Sequence, residues 1–377
     1  MTLHISHMFD SGSIEVLGTQ LATADLRIRH DVRGDGSPSE FLQWFHFRVS
    51  GVEAPGATLR IVNAGATTYP DGWRDYRAVG TIDRRHWFRL PTRYDGTVMT
   101  IDVPAGPPLY LAYFEPFSWD RHLALLADCV AGGARQRRLG SSVQGRDVDE
   151  LVVGDGERAV WIIARQHPGE TMAEWFVEGL LQRLLDPADA VSRQLQDMAT
   201  FHIVPNMNPD GSVLGNLRTN AAGANLNREW LEPSHERSPE VLAVRDAIHA
   251  TGCSAFFDIH GDENLPYVFV AGSEMLPGFS DRQAAEQAAF AVDFRAANPD
   301  FQSEHGYSAS KYKEDVLKLA SKYVGHTFGG LSLTLEMPFK DNANAPDESH
   351  GWSAARSARL GADLLGPLRL HLLRTSP

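Results

Sequence analysis

The chain has 377 residues, 43% of them hydrophobic and 22% charged, with a formal net charge of −13. That length and apolar content support a large buried core and favour two domains over one. The acidic balance disfavours a nucleic-acid partner, because phosphate binding needs clustered cations; the short run Arg135-Gln136-Arg137-Arg138 reads as a solvated loop before a strand.

The first twelve residues carry His4, His7 and Asp10 where a secretory leader needs an apolar run, and no later run approaches the length of a membrane span. Cys129 and Cys253 stand in no metal-binding spacing and read as reduced, buried thiols. A cytoplasmic enzyme without a membrane partner is therefore expected. Association into homo-oligomers is left open.

Up to Ser118 the signals are short strands and turns. Phe45, Phe47 and Val49 alternate with polar residues, as do Leu59 and Ile61, and then Met99, Ile101 and Val103. Turn clusters separate them, at Gly34-Asp35-Gly36-Ser37-Pro38, Tyr69-Pro70-Asp71-Gly72 and Pro104-Ala105-Gly106-Pro107-Pro108. Residues 1–118 are expected to form an antiparallel β-sandwich domain.

After Ser118 apolar runs alternate with helical periodicity. Strands are predicted at Glu150 to Val153, Val160 to Ala164, Phe201 to Pro205, Ala255 to Ile259, Tyr267 to Ala271 and Leu331 to Met337. Helices are predicted around Met172 to Leu184, Gln283 to Ala297 and Ala354 to Leu373. The fold class is α/β, with residues 119–377 expected to form a second domain built on a mixed sheet flanked by helices. Ligands in such sheets bind at the carboxyl ends of strands.

Two motifs fall at such ends. His167-Pro168-Gly169-Glu170 follows the apolar run Trp161-Ile162-Ile163-Ala164, and Asp258-Ile259-His260-Gly261 continues Ala255-Phe256-Phe257. His167, Glu170 and His260 make a His, Glu, His set, the ligand chemistry of a catalytic zinc that keeps one position for water. Glu336, a lone carboxylate near the end of the apolar strand Leu331 to Met337, is the candidate general base, because a charge there is costly unless used. Val204-Pro205-Asn206-Met207-Asn208-Pro209-Asp210-Gly211 opens a segment reaching Arg218 and Asn225-Leu226-Asn227-Arg228. A plain loop explains its Asn and Gly. Its arginines offer more: Arg228 with Asn227 can hold a carboxylate, and Arg218 can face a developing oxyanion.

In this order, HPGE, NPDG, the Asn-Leu-Asn-Arg segment, DIHG and LTLEMPF resemble the zinc metallocarboxypeptidases, and within them the cytosolic carboxypeptidase subfamily, which carries a β-sandwich ahead of the catalytic domain. Leu111-Ala112-Tyr113-Phe114-Glu115-Pro116-Phe117-Ser118 resembles the subfamily's interdomain junction. The resemblance implies one zinc ion held by His167, Glu170 and His260, with Glu336 as base. It implies Asn227 and Arg228 as the clamp on the substrate's terminal carboxylate, and Arg218 as the group polarising the scissile carbonyl. The implied substrate is the C-terminus of a peptide or protein.

The match departs from the family at three places. Asn225 stands where many relatives have an aspartate that orients a ligand histidine. Asp258 is a second candidate for such a supporting role. The family's mobile, substrate-closing tyrosine has no single counterpart: Tyr312 lies near the expected distance before Glu336, and Tyr323 is a rival whose spacing also suits helix packing against Leu319 and Phe328. Lys322 falls near the side-chain pocket of such enzymes, where a cation would favour C-terminal Glu or Asp, yet Lys311, Lys313, Lys318 and Lys322 also describe a solvated helix face. Two alternatives accompany the carboxypeptidase reading: a zinc deacylase or amidase of the same fold acting on small N-acyl amino acids or cell-wall peptides, and a binding module without turnover.

Overall fold

The computed structural model describes residues 3–274, 276–308 and 316–375. Ten strands come first: β1 (His4–Ser6), β2 (Glu15–Thr19), β3 (Thr23–Arg27), β4 (His46–Ser50), β5 (Ala57–Ile61), β6 (Val79–Thr81), β7 (Phe88–Arg89), β8 (Thr92–Tyr94), β9 (Met99–Val103) and β10 (Leu109–Ala112). They form two five-stranded sheets, ordered β1-β4-β10-β6-β7 and β2-β3-β5-β9-β8. Period-two burial in β5 and β9 turns Leu59, Ile61, Met99 and Ile101 into a core shared with Phe47 and Leu111 of the other sheet. Every pairing is antiparallel except β3 with β5, because β4, which lies between them in the chain, belongs to the opposite sheet.

The rest of the chain builds a seven-stranded sheet, β11 (Arg135–Ser141), β12 (Asp147–Val153), β13 (Arg158–Ala164), β14 (Ala199–Val204), β15 (Ala255–Asp262), β16 (Phe269–Ala271) and β17 (Leu331–Pro338), in the order β11-β12-β14-β13-β15-β17-β16. The four central strands, β14, β13, β15 and β17, run parallel and are buried almost throughout. That is why they read as continuous apolar runs. Helices α1 (Trp119–Ala131), α2 (Met172–Leu184), α3 (Ala190–Met198), α4 (Pro209–Leu214), α5 (Pro239–Thr251), α6 (Asp281–Ala297), α7 (Ala320–Phe328) and α8 (Ala354–Arg374) accompany the sheet. Helices α2 and α8 meet through glycine. A Cβ on Gly179 would fall 1.9 Å from the Ala358 carbonyl oxygen, and one on Gly361 2.0 Å from that of Phe176.

One expectation fails here. Arg135 to Arg138 is not a loop but edge strand β11, whose arginines pair with Asp155, Glu150 and Asp147. A charged edge has no apolar alternation to reveal it, and such charges discourage further strand addition.

The sandwich and the sheet share one hydrophobic core. Tyr113 stacks on Phe339, just beyond β17, with ring centroids 4.2 Å apart. Arg89, buried, donates to the carbonyls of Phe339, His350 and Trp352. The strand order reverses at β13, whose chain goes on to β14 on one side before returning to β15 on the other. The HPGE motif leaves the carboxyl end of this strand, the place where open α/β sheets form a crevice.

Candidate active site

After Ala164 the chain turns through Arg165, whose φ of +60° is left-handed for a residue with a side chain. Its buried guanidinium compensates by donating to the carbonyls of Pro168 (2.9 Å) and Phe117 (2.9 Å) and to the Glu174 carboxylate (2.6 Å). Glu174 is also 2.6 Å from His122 Nδ1. Gly169 lets the turn press against the neighbouring loop. Its N–H donates to the Leu217 carbonyl (2.9 Å), and a Cβ would lie 2.8 Å from Leu217 Cα.

This turn brings His167 and Glu170 to His260 on β15. Glu170 Oε1 lies 2.7 Å from His167 Nδ1, its Oε2 lies 2.7 Å from His260 Nδ1, and the two Nδ1 atoms are 3.1 Å apart. The far nitrogens are held by acceptors: His167 Nε2 is 3.0 Å from Asn225 Oδ1, and His260 Nε2 is 2.9 Å from Asp258 Oδ2. Asp258 is in turn held by Gln166, whose Oε1 accepts from Trp230. Acceptors on both Nε2 atoms leave both Nδ1 lone pairs facing Glu170, a donor set that fits a zinc ion.

The electrostatics divide the two histidines. Burial, assisted by Arg218, pulls His167 down to about 3, which keeps it a neutral ligand. Burial opposes the Glu170 charge, but the two imidazoles carry its carboxyl below the usual range. Burial also pulls His260 down, yet Asp258 and Glu170 flank it and raise it well above the ordinary imidazole value. A dication at this point inverts that balance by taking the proton's place.

Glu336 on β17 stands opposite His260 in the parallel ladder. Its Oε1 accepts from the Tyr307 hydroxyl (2.9 Å), and Tyr307 also lies 2.6 Å from Asp262 Oδ2. Its buried Oε2 has no hydrogen-bond partner among the described residues. Burial, reinforced by Glu170 and Asp262, pushes the Glu336 carboxyl up to about 8, against the pull of His260 and the Tyr307 hydroxyl. Once ionised, as a dication bound beside it would favour, Glu336 presents a free carboxylate oxygen next to the ligand cluster, which is what a proton acceptor needs.

These groups line one cavity of about 370 Å³, together with Arg218, Asn227, Arg228 and Lys322. Arg218 Nη1 lies 3.8 Å from Glu170 Oε1. Asn227 also has structural contacts, since its Oδ1 accepts from the Ala320 N–H (2.9 Å) and its Nδ2 sits 3.3 Å from His260 Nε2. Lys322 lines the wall near Glu274, and burial pushes its ammonium down to about 8. Tyr312, Lys311 and Lys313 lie outside the described residues. Tyr323 faces away, bonded to His249 (2.9 Å) and packed near Trp230. Sequence reasoning missed Tyr307, Asp262 and the N-terminal domain's Tyr69, all of which line the cavity. Asp258, His260 and Asp262 share a strand face, the one signal that pointed to Asp262. Cys129 is a buried and Cys253 a half-buried free thiol, both away from this cavity.

Residues 126–343 match the family described as zinc carboxypeptidase. The chain belongs to that family. Residues 5–114 match the cytosolic carboxypeptidase N-terminal domain. It is a metallo-carboxypeptidase whose zinc-ligand triad is His167, Glu170 and His260. A metallo-carboxypeptidase from Burkholderia cenocepacia is 58% identical, with a TM-score of 0.96 over 99% of this chain and 100% of its own. A metallo-carboxypeptidase from Pseudomonas aeruginosa is 43% identical, with a TM-score of 0.93 over 98% of this chain and all of its own. Human cytosolic carboxypeptidase 6 is 26% identical over 88% of this chain and 71% of its own length. Among the described residues no helix is long and apolar enough to cross a membrane.

Proposed function

We propose that this carboxypeptidase removes single residues from the C-termini of peptides or protein tails and prefers acidic end residues. The observation that carries the preference is Lys322, a cation in the wall of the same cavity that holds Arg218, Arg228 and the ligand triad. On this reading the chain divides near Ser118, between β10 and α1. Zinc, when bound, supplies Lewis acidity to a water and to the scissile carbonyl. Asn227 and Arg228 bind the terminal carboxylate, which limits the enzyme to the last peptide bond. Glu336 takes the proton of the attacking water at its carboxylate and returns it to the leaving amine. Arg218 faces the oxygen on which negative charge develops.

A second specificity has its own support. The Pseudomonas aeruginosa enzyme is in complex with (2-guanidinoethylmercapto)succinic acid, a dicarboxylic acid that carries a guanidine. Glu274 in this cavity offers a partner for a basic end residue. A peptide series varied only in its last residue separates the two, with Glu336→Gln as the inactive control. Faster release of Glu and Asp than of Ala supports the Lys322 reading, and faster release of Arg and Lys supports Glu274. Equal rates for all end residues remove both. Release from N-acyl amino acids but not from peptides would favour the deacylase reading instead.

A further inference from the structure

We propose that Asp31 of the N-terminal domain is a positioning residue for Arg218, so that the sandwich sets catalytic geometry in the neighbouring domain. The inference rests on the reading of Arg218 as the group that faces the oxyanion.

Arg218 lies in a segment that belongs to neither helix nor strand. Helix α4 ends at Gly215 with a left-handed φ of +72°, and regular structure does not resume before Leu226. Backbone N–H groups buried in such a stretch need an outside acceptor. Asp31, buried and 186 positions away from Leu217, provides it. Its Oδ1 accepts from the Leu217 N–H (2.7 Å), and its Oδ2 accepts from the N–H groups of Arg218 (2.8 Å) and Thr219 (3.0 Å) and from the Thr219 hydroxyl (3.1 Å). Three successive N–H groups converging on one carboxylate form an anion nest with the anion supplied by the other domain.

Neighbouring contacts fix the same segment. Asn216 accepts from the Val32 N–H (2.8 Å) and donates to the Val32 carbonyl (2.9 Å). The guanidinium carbon of Arg218 lies 5.8 Å from the Phe41 ring and 5.5 Å from the Tyr69 ring, both from the N-terminal domain. The Arg218 backbone is thus gripped by Asp31 and its head group is flanked by aromatic faces, with Glu170 also nearby. An arginine that must meet a developing charge is effective only when its placement is settled beforehand.

The test is a double-variant cycle on a zinc-loaded, full-length protein with N-blocked tripeptides as substrates. Asp31→Asn keeps the shape but turns an amide N–H toward one of the backbone donors. The expected result is a drop in kcat of about 10- to 100-fold, a magnitude that small misplacements produce. KM and zinc content should change less than about twofold, since Asp31 itself contacts neither the carboxylate clamp nor a metal ligand, and the Leu217 carbonyl that braces Gly169 keeps its bond. Arg218→Ala should lose about 10²–10³-fold in kcat. The double variant should then be no slower than Arg218→Ala alone, because Asp31 acts only through that arginine. Unchanged kcat in folded Asp31→Asn, or a loss that multiplies with that of Arg218→Ala, overturns the proposal. Full activity in Arg218→Ala instead overturns the reading of Arg218. If Asp31→Asn does not fold, Thr219→Val decides: it removes the hydroxyl's contacts with Asp31 and with Ser39 Oγ (3.3 Å) and leaves the three N–H bonds in place, and an undiminished kcat there also overturns the proposal.

Discussion

His260 and Glu336 face each other as register partners in the parallel ladder of β15 and β17. The sheet itself therefore places a metal ligand and a carboxylate side by side, without relying on a loop. Because Glu336 is outside the ligand triad, Glu336→Gln should cut kcat by about 10²–10⁴-fold, the range for loss of a general base. Zinc stoichiometry by elemental analysis should stay at the wild-type value. Loss of zinc together with activity would reassign Glu336 as a ligand.

Removal of zinc by a strong chelator should abolish peptide hydrolysis, and added zinc should restore it. It should also lower the unfolding temperature, since any ion that binds only the folded state adds stability; at a 1,000-fold excess over Kd that amounts to about 4 kcal/mol. Calorimetry with and without zinc measures this. Glu170→Gln should behave like the stripped protein in both assays.

Asn225, a neutral acceptor, takes the hydrogen bond from His167 Nε2. Replacing it by a carboxylate with Asn225→Asp should make His167 a stronger ligand and tighten zinc by about tenfold, the low end of such supporting effects. Competition with a zinc-binding dye reads the change directly.

Lys322 gives the pH prediction. Burial pushes its ammonium down to about 8, so its charge is present at neutral pH and is lost as pH rises through that value. The ratio of kcat/KM for Glu-ended over Ala-ended peptides should therefore fall between roughly pH 7 and 9. Lys322→Ala should lower that ratio about 10- to 100-fold at pH 7, the worth of a charged hydrogen bond, while turnover of Ala-ended peptides persists. Lys322→Arg should hold its preference to higher pH.

Glu174 holds the metal turn through a fully buried pair with Arg165. Glu174→Ala leaves that guanidinium without its counter-charge and should cost about 3–5 kcal/mol in denaturant unfolding. A neutral result would mean that the carbonyls of Phe117 and Pro168 suffice for Arg165.

The triad and Glu336 were legible in the sequence because each sits where an apolar run ends, so local pattern and chemistry coincide. The parallel strands were legible for the same reason. Asp31, Tyr69 and Tyr307 were not. Asp31 sits between His30 and Val32 with no local mark of its use, and its partners lie 186 to 188 positions away. Tyr307 meets Glu336 and Asp262 from a stretch without periodicity. The arginines of β11 misled because an exposed edge strand and a solvated loop share the same composition.

Arg89 reaches out of the sandwich to three carbonyls on the stretch that follows β17. Cutting the polypeptide near residue 118 would strand those oxygens and bare the Phe339 ring, so the two halves are a poor choice for separate expression. An engineer exchanging front modules between relatives would have to transplant this guanidinium, the Tyr113 stack and the Asp31 latch as one unit.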